Sequence, residues 1–478
     1  MSMVIPSDDS RARITLALVS HTNIGKTALA RTLLRRDVGQ VLDREHVTEH
    51  SEAFSLVRTD DAELWLWDTP GFGDSVRLLR RLKTAQRPLW WLLQQSWDRI
   101  TDRPLWSSQQ AMRTVRDDTD LVLYLVSAAE PPDEAGYVAS ELDLLAWTER
   151  PVLLVINQAG DASPAEAAKR RAAWVAATVA WPRVQGVLDL DAFNRCWVQE
   201  GVLFSHLEAA LGPQRRPLIE GLHSAWDRRN LEAFARAQEA LADYLAATAQ
   251  DRESLLVAKP GKTEKRKGME ALGARLAART EGLMSTLLAC HGLEGTPPSA
   301  VEKAAESFVV EGQAKLDPER SALWGGLLSG ALSGLTADAL TGGLSFGGGL
   351  VAGAILGALG GAGLARGYQL VRGDRLPVLR WSASALDRVA EQAVLRYLAV
   401  AHFGRARGAY REAVGAEHWQ LAVRRARAAQ AASWSRAIKK VQAERTSEAG
   451  SGTLCRLLDS LLRQLLREAY AQAASLLD

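Results

Sequence analysis

The stretch LVSHTNIGKTALARTLL, Leu18–Leu34, decides how the first two hundred residues are read. It departs by one residue from the phosphate-loop pattern G-x-x-x-x-G-K-[ST], with Ser20 standing at the first glycine. In such a loop successive backbone N–H groups curl round a β-phosphate. The helix that begins immediately afterwards aims its positive end at the same anion. Gly25 is where the backbone must close on the phosphate. The Lys26 ammonium would reach the β- and γ-phosphates, and the Thr27 hydroxyl would ligate Mg²⁺. Ser20 is small enough for the exit from the strand. The candidate nucleotide contacts are Ser20, Thr22, Asn23, Ile24, Gly25, Lys26, Thr27 and Ala28.

The surroundings suit the loop. Arg13–Ser20, Ala62–Asp68, Asp120–Ala128, Pro151–Asn157 and Arg183–Leu190 are short apolar runs that read as strands. Lys26–Arg36, Asp133–Thr148 and Pro164–Ala180 read as helices between them. Strands apolar on both faces and alternating with helices imply a mostly parallel sheet with crossover connections. Ser51–Arg58 precedes Ala62–Asp68 by a short polar turn, which predicts a hairpin and one antiparallel edge strand. A second motif, WLWDTPG (Trp65–Gly71), ends a strand in D-x-x-G. Phosphate-loop enzymes hold Mg²⁺ there through a carboxylate and sense the γ-phosphate through the glycine N–H, which points to Asp68 and Gly71.

NIGKT and WDTPG on this strand order resemble the translation-factor class of GTPases, in particular its Era/TrmE-like branch, over about residues 13–211. The resemblance implies GTP as ligand, Mg²⁺ as cofactor, and a switch threonine contacting both metal and γ-phosphate, for which Thr48 in DREHVTEHSE is the match. It also implies a guanine-reading N-K-x-D after the fifth core strand. LLVINQAGD supplies Asn157, but Gln158 replaces the lysine, Gly160 takes the place of the aspartate, and Asp161 comes one residue late. Displacing that carboxylate would lose a charge-assisted interaction of about 1.5–3 kcal/mol. Phe72 follows Gly71 where Ras-like enzymes carry the glutamine that orients the attacking water, which implies slow intrinsic hydrolysis. Asn23 stands where several relatives bind K⁺ on dimerisation of the GTPase domain. Potassium-stimulated turnover in a homodimer is one expectation; an asparagine that only tightens the turn is the other.

The 478 residues are enough for two to four domains, and 47% hydrophobic with 24% charged residues is ordinary for folded protein. A net charge of +2 makes no global case for nucleic acid. Three scattered cysteines form no disulfide framework, and eight dispersed histidines suggest no structural metal. No secretory signal is evident, so a cytoplasmic protein is expected. Residues 84–116 form a tryptophan-rich insertion, expected to pack on its own domain rather than face a partner or membrane.

Beyond about Gly212 the strand signal stops, and an all-α region is expected, with AKPGKTEKRKGME as a loop. Between Arg320 and Arg366 the only charged residue is Asp338. Gly326, Gly330 and Gly334, then Gly349, Gly353, Gly357 and Gly361, recur every fourth residue and lay one flat stripe on each of two apolar helices. Each helix, roughly 20 residues long, is just sufficient to span a bilayer core. A glycine-zipper hairpin in or on the membrane is therefore expected, although a mid-helix Asp338 would oppose insertion by about 2.5–3.5 kcal/mol. The alternative is two tightly packed helices in a soluble domain. Arg- and Trp-rich helices downstream suit an anionic lipid surface, with nucleic acid less favoured. The whole chain resembles a bacterial family that joins an Era-like GTPase domain to a C-terminal glycine-rich helical domain.

The expected architecture is thus an α/β GTPase domain (1–212), a helical domain (213–315), the glycine-zipper hairpin (316–370) and an Arg-rich helical domain (371–478). The expected activity is a Mg²⁺-dependent GTPase, cytoplasmic or at the inner face of the cytoplasmic membrane, activated by dimerisation or a partner. Its nucleotide state would control helical docking or membrane engagement. A catalytically weak nucleotide-gated scaffold and an RNA- or ribosome-associated GTPase are the competing readings.

Overall fold

The computed structural model describes residues 11–35, 38, 51–84, 102–160, 164–194, 197–257, 259–293, 368–372, 376–404, 416–443, 447–470 and 477. Two compact units result. The first comprises Met1–Glu232, Ala401–Ala409 and Ala469–Asp478; the second comprises Ala233–Val400 and Tyr410–Glu468.

The first unit is built on a six-stranded sheet. Its strands are β1 (Ala12–Ser20), β2 (Glu52–Arg58), β3 (Ala62–Asp68), β4 (Leu121–Ser127), β5 (Val152–Asn157) and β6 (Val184–Asp189), in the order β2-β3-β1-β4-β5-β6. All neighbours are parallel except β2–β3, the antiparallel hairpin expected at the edge. The alternation of strand side chains divides the core between the two faces. Ile14, Leu16 and Leu18 point to one face with α1 (Lys26–Leu34), while Ala17 and Val19 point to the other. That second face is covered by α2 (Ser75–Thr84), α3 (Arg103–Asp118), α4 (Tyr137–Ala146) and Trp174 of α5 (Pro164–Thr178). Helices on both faces explain why every residue of β4 is buried.

Apart from Thr84, the insertion is described only from Asp102 onward. There it packs on its own domain, with Leu105, Ala111, Met112 and Val115 buried beneath it. Trp106 is half-buried under the Arg113 guanidinium, 5.6 Å from its ring centroid. The other tryptophans of the insertion lie outside the described residues.

After α6 (Trp197–Glu200) and α7 (Val202–Leu211), α8 (Arg216–Gln250) carries the chain into the second unit. The expectation of an all-α region is corrected here. The unit is largely helical, with α9 (Lys262–Cys290), α10 (Ala383–Ala401), α11 (Ala416–Ala429), α12 (Ala431–Ala443) and α13 (Ser447–Ala469). It also holds a three-stranded antiparallel sheet of β7 (Arg252–Ser254), β8 (Tyr368–Arg372) and β9 (Pro377–Trp381), in the order β7-β9-β8. The loop expected at AKPGKTEKRKGME is corrected as well, since all but its first four residues belong to α9. Gly268 is the reason a glycine fits within that charged helix. A Cβ there would lie 2.7 Å from Leu379 Cδ1 of β9 and 3.0 Å from Leu255 Cδ2, so the helix approaches the sheet too closely for a side chain.

Among the described residues no helix is long and apolar enough to cross a membrane. The glycine-zipper hairpin expected at 316–370 lies outside the described residues except for its last three.

Candidate nucleotide site

The site lies at the carboxyl ends of the parallel strands, where open α/β sheets place their ligands. β1 ends at Ser20, and the chain turns through Asn23 (φ 64°) and Gly25 (φ 91°) before entering α1. Both are left-handed, a conformation glycine adopts freely and asparagine tolerates better than most residues. The turn therefore accounts for Asn23 by itself. Gly25 has a second reason to lack a side chain, because a Cβ would lie 2.9 Å from Asn157 Nδ2.

Lys26 is buried, and its ammonium donates to Ser20 Oγ at 3.0 Å and to the His21 carbonyl at 3.5 Å. Ser20 is thus more than a small residue in a glycine's place: its hydroxyl donates to His21 O at 2.6 Å while receiving the lysine. Burial pulls the Lys26 pKa down to about 8 despite the nearby Asp68 and Glu141 carboxylates. Thr27 Oγ1 donates to Asp68 Oδ2 at 2.6 Å, which brings the two expected metal ligands together. Burial raises the Asp68 pKa to about 6, against the opposing effects of Thr27 and Lys26. Among the described residues Asp68 Oδ1 is buried without a hydrogen-bond partner. An orphaned carboxylate oxygen beside a hydroxyl is a donor set that fits a small hard cation such as Mg²⁺.

Gly71 rests against the loop. A Cβ on it would lie 3.1 Å from Lys26 Nζ, Thr22 Cα and Thr22 Cγ2. Phe72 N donates to Ser20 O at 2.9 Å, and the Phe72 ring is fully buried in the core. It cannot turn toward a γ-phosphate without leaving that core. Ser108 of α3 accepts from Gly73 N at 3.0 Å and Asp74 N at 3.3 Å, so the insertion pins the segment that follows Gly71.

Asn157 is fully buried and joins three loops. Its Nδ2 donates to Ile24 O at 2.7 Å, and its Oδ1 accepts from Ala192 N at 2.9 Å. Gln158 is left-handed (φ 60°), accepts from Ser127 Oγ at 3.0 Å, and brings its Nε2 within 3.6 Å of where a Cβ on Gly25 would stand. Ile24 and Ala28 are buried in the core beneath the loop. Thr48 and Asp161 lie outside the described residues.

Residues 15–158 match the family model described as 50S ribosome-binding GTPase. The N-terminal domain is a P-loop GTPase domain. The match agrees with the Era/translation-factor class read from NIGKT and WDTPG. No curated protein matches the sequence. Among solved structures, similarity extends to Era in complex with MgGDPNP and a segment of 16S ribosomal RNA (16% identity, TM-score 0.29), over 45% of this chain and 57% of that one. It also extends to an Era variant from Aquifex aeolicus bound to GDP and AlF4 (15%, TM-score 0.29; 57% of this chain, 90% of that one). A third is elongation factor SelB from Methanococcus maripaludis with a GTP analogue (17%, TM-score 0.25; 38% and 30%).

Some of the GTPase domain's site was missed from sequence. Glu141 of α4 is fully buried and accepts from Tyr124 OH at 2.7 Å; its other oxygen lies 2.8 Å from His21 Nδ1. His21, inside the phosphate loop, also stacks on Tyr137 with ring centroids 4.5 Å apart. The phosphate loop is thus anchored from behind by a polar network that no motif announces. Gly404, from the far end of the chain, closes on the loop after β6. Its N–H donates to Phe193 O at 3.3 Å, and a Cβ would lie 2.7 Å from Phe193 C and closer still to Ala192 O.

Proposed function

We propose that the chain is a Mg²⁺-dependent GTP-binding protein with slow intrinsic hydrolysis, in which an added partner or a second copy supplies the missing catalytic group. The convergence of Lys26, Thr27, Asp68 and Gly71 on one loop, with Phe72 locked in the core beside them, supports this reading most strongly. Lys26 would pair with the β- and γ-phosphate oxygens, and Gly71 N–H would sense the γ-phosphate. Thr27 and Asp68, with Thr48, would hold Mg²⁺, which neutralises phosphate charge and so favours departure of the γ-phosphoryl group. Asn157 keeps the phosphate loop and the two base-side loops in register. K⁺ at Asn23 on dimerisation is the proposed source of stimulation.

Phosphate release from GTP and ATP, in potassium and in sodium, with wild type and Lys26→Ala, tests the reading. Slow, GTP-selective release, stimulated by potassium at high protein concentration and abolished by Lys26→Ala, is expected. Release untouched by Lys26→Ala would refute it. Nucleotide state would then control docking of the helical region or engagement of a membrane, checked by liposome sedimentation with GDP and a GTP analogue. The buried Phe72 also favours a second reading, a nucleotide-gated scaffold; tight GTP binding without turnover in any condition would select it. Ribosome association, suggested by the family description, would appear as salt-sensitive RNA binding.

A further inference from the structure

We infer that Ser108, in α3 of the insertion, is a positioning residue for γ-phosphate recognition. It fixes the backbone just after Gly71 and so presents the Gly71 N–H to the phosphate site. The inference rests on the proposed GTP site and concerns how that site tells GTP from GDP.

Of the four consecutive backbone N–H groups from Gly71 to Asp74, three are held by the protein. Phe72 N donates to Ser20 O, at the end of β1, at 2.9 Å. Gly73 N and Asp74 N both donate to Ser108 Oγ, at 3.0 and 3.3 Å. Gly71 is buried, yet its N–H has no acceptor among the described residues. Buried N–H groups are paired almost without exception, because losing water with no replacement partner costs free energy. Gly71 also stands against the loop expected to hold the phosphates, where a Cβ would lie 3.1 Å from Lys26 Nζ. The N–H that the protein leaves over is therefore the one beside Lys26. An anionic oxygen held by that lysine is an acceptor that suits it.

Ser108 is fully buried, and its hydroxyl donates to Pro104 O at 3.1 Å while accepting the two N–H groups. A hydroxyl has one donor and two acceptor positions, so all three are filled. Other residues of α3 reinforce the hold. Asp102 caps the helix through Leu105 N at 3.4 Å and also pairs with Arg77, whose N–H donates to Asp74 Oδ1 at 2.9 Å. Thr114 Oγ1 lies 2.7 Å from Ser51 Oγ, three residues past the expected Thr48. One helix thus grips the chain shortly after each of the two residues expected to sense the γ-phosphate. A helix that only covered the sheet would need its apolar residues, Leu105, Ala111, Met112 and Val115, and no hydroxyl on two amide N–H groups.

The consequence is selective. GDP has no γ-phosphate for Gly71 to contact, so loosening this backbone should leave GDP affinity alone and weaken a GTP analogue. Equilibrium binding of GppNHp and GDP to the full chain with Mg²⁺ tests this in wild type, K26A, S108A, S108C, G71A and the double variant S108A/G71A. S108A is expected to lower the ratio of GppNHp to GDP affinity about tenfold, with GDP affinity unchanged. S108C keeps the bulk but offers only a weakly accepting sulfur, so it should fall with S108A. In the G71A background S108A should lower the ratio no further, because Ser108 acts through Gly71. An unchanged ratio in S108A, equal loss of both nucleotides, a wild-type ratio in S108C, or additive losses in the double variant would each overturn the assignment. Binding of both nucleotides untouched by K26A would overturn the underlying site as well.

Discussion

Replacing Glu141 by alanine removes the acceptor behind the phosphate loop, and the structure sets the size of the effect. Tyr124 is fully buried and donates to Glu141 Oε2, so its hydroxyl would be left unsatisfied. That costs about 1–3 kcal/mol. His21 also loses its partner, but its side chain is 34% exposed and can turn to water, so little is added there. The small cavity left in the apolar surroundings adds roughly 1 kcal/mol. E141A should therefore destabilise the GTPase domain by about 2–4 kcal/mol. E141Q keeps an acceptor for Tyr124 and a group able to bond His21, and should stay within about 1 kcal/mol of wild type. Burial raises the Glu141 pKa, so the folded state favours the neutral acid that glutamine imitates. The penalty is absent below the unfolded pKa and complete above the folded one. The sharper check is the cycle with Tyr124→Phe. Removing the hydroxyl from an E141A background removes the orphaned group, so the double variant should lose about 1–3 kcal/mol less than the two single losses summed. Urea unfolding followed by release of bound fluorescent nucleotide reports on this unit alone. Additive losses would refute the reasoning, because they would show that Tyr124 and Glu141 do not depend on each other.

Other outcomes follow from the same geometry. Gly71→Ala would push a methyl against Lys26 and Thr22 and is expected to lower the ratio of GTP to GDP affinity, read by competition binding; an unchanged ratio would count against Gly71 as the γ-phosphate sensor. Gly404→Val would displace Ala192 and Phe193 and, at about 1–3 kcal/mol for overpacking, should weaken nucleotide binding although residue 404 is far from the motifs in sequence. The affinity for Mg²⁺ and nucleotide should fall as pH drops through about 6, where Asp68 protonates, and again as it rises through about 8, where Lys26 loses its charge. A flat pH profile of the dissociation constant would contradict both. Without nucleotide the same shifts act as stability penalties. Asp68's grows from its unfolded pKa of 3.8 up to about 6, and Lys26's persists below about 8 and fades toward 10.5.

What was legible in the sequence was whatever depends on local order. Lys26, Thr27, Asp68 and Gly71 belong to strand-end motifs whose spacing the backbone dictates, and the β2–β3 hairpin followed from a short polar turn between two strand-like runs. Phe72 could be read as catalytically inert, and the structure adds why it stays so: it is part of the core. Contacts that bridge distant segments left no such trace. Glu141 looks like any helix carboxylate until α4 is laid against Tyr124 of β4 and His21 of the phosphate loop. The small sheet of the second unit was hidden because β7 is three residues long, too short for periodicity, and its partners come from more than a hundred residues away. The start of α9 was hidden by charge, since a solvated helix face and a loop share that composition.

The most direct test of the central claim is equilibrium binding of a non-hydrolysable GTP analogue to the full chain, with and without Mg²⁺, comparing wild type, Lys26→Ala and Asp68→Asn. Mg²⁺-enhanced binding is expected in wild type, with binding lost in Lys26→Ala and the Mg²⁺ enhancement lost in Asp68→Asn. Binding that is indifferent to both substitutions would contradict that claim.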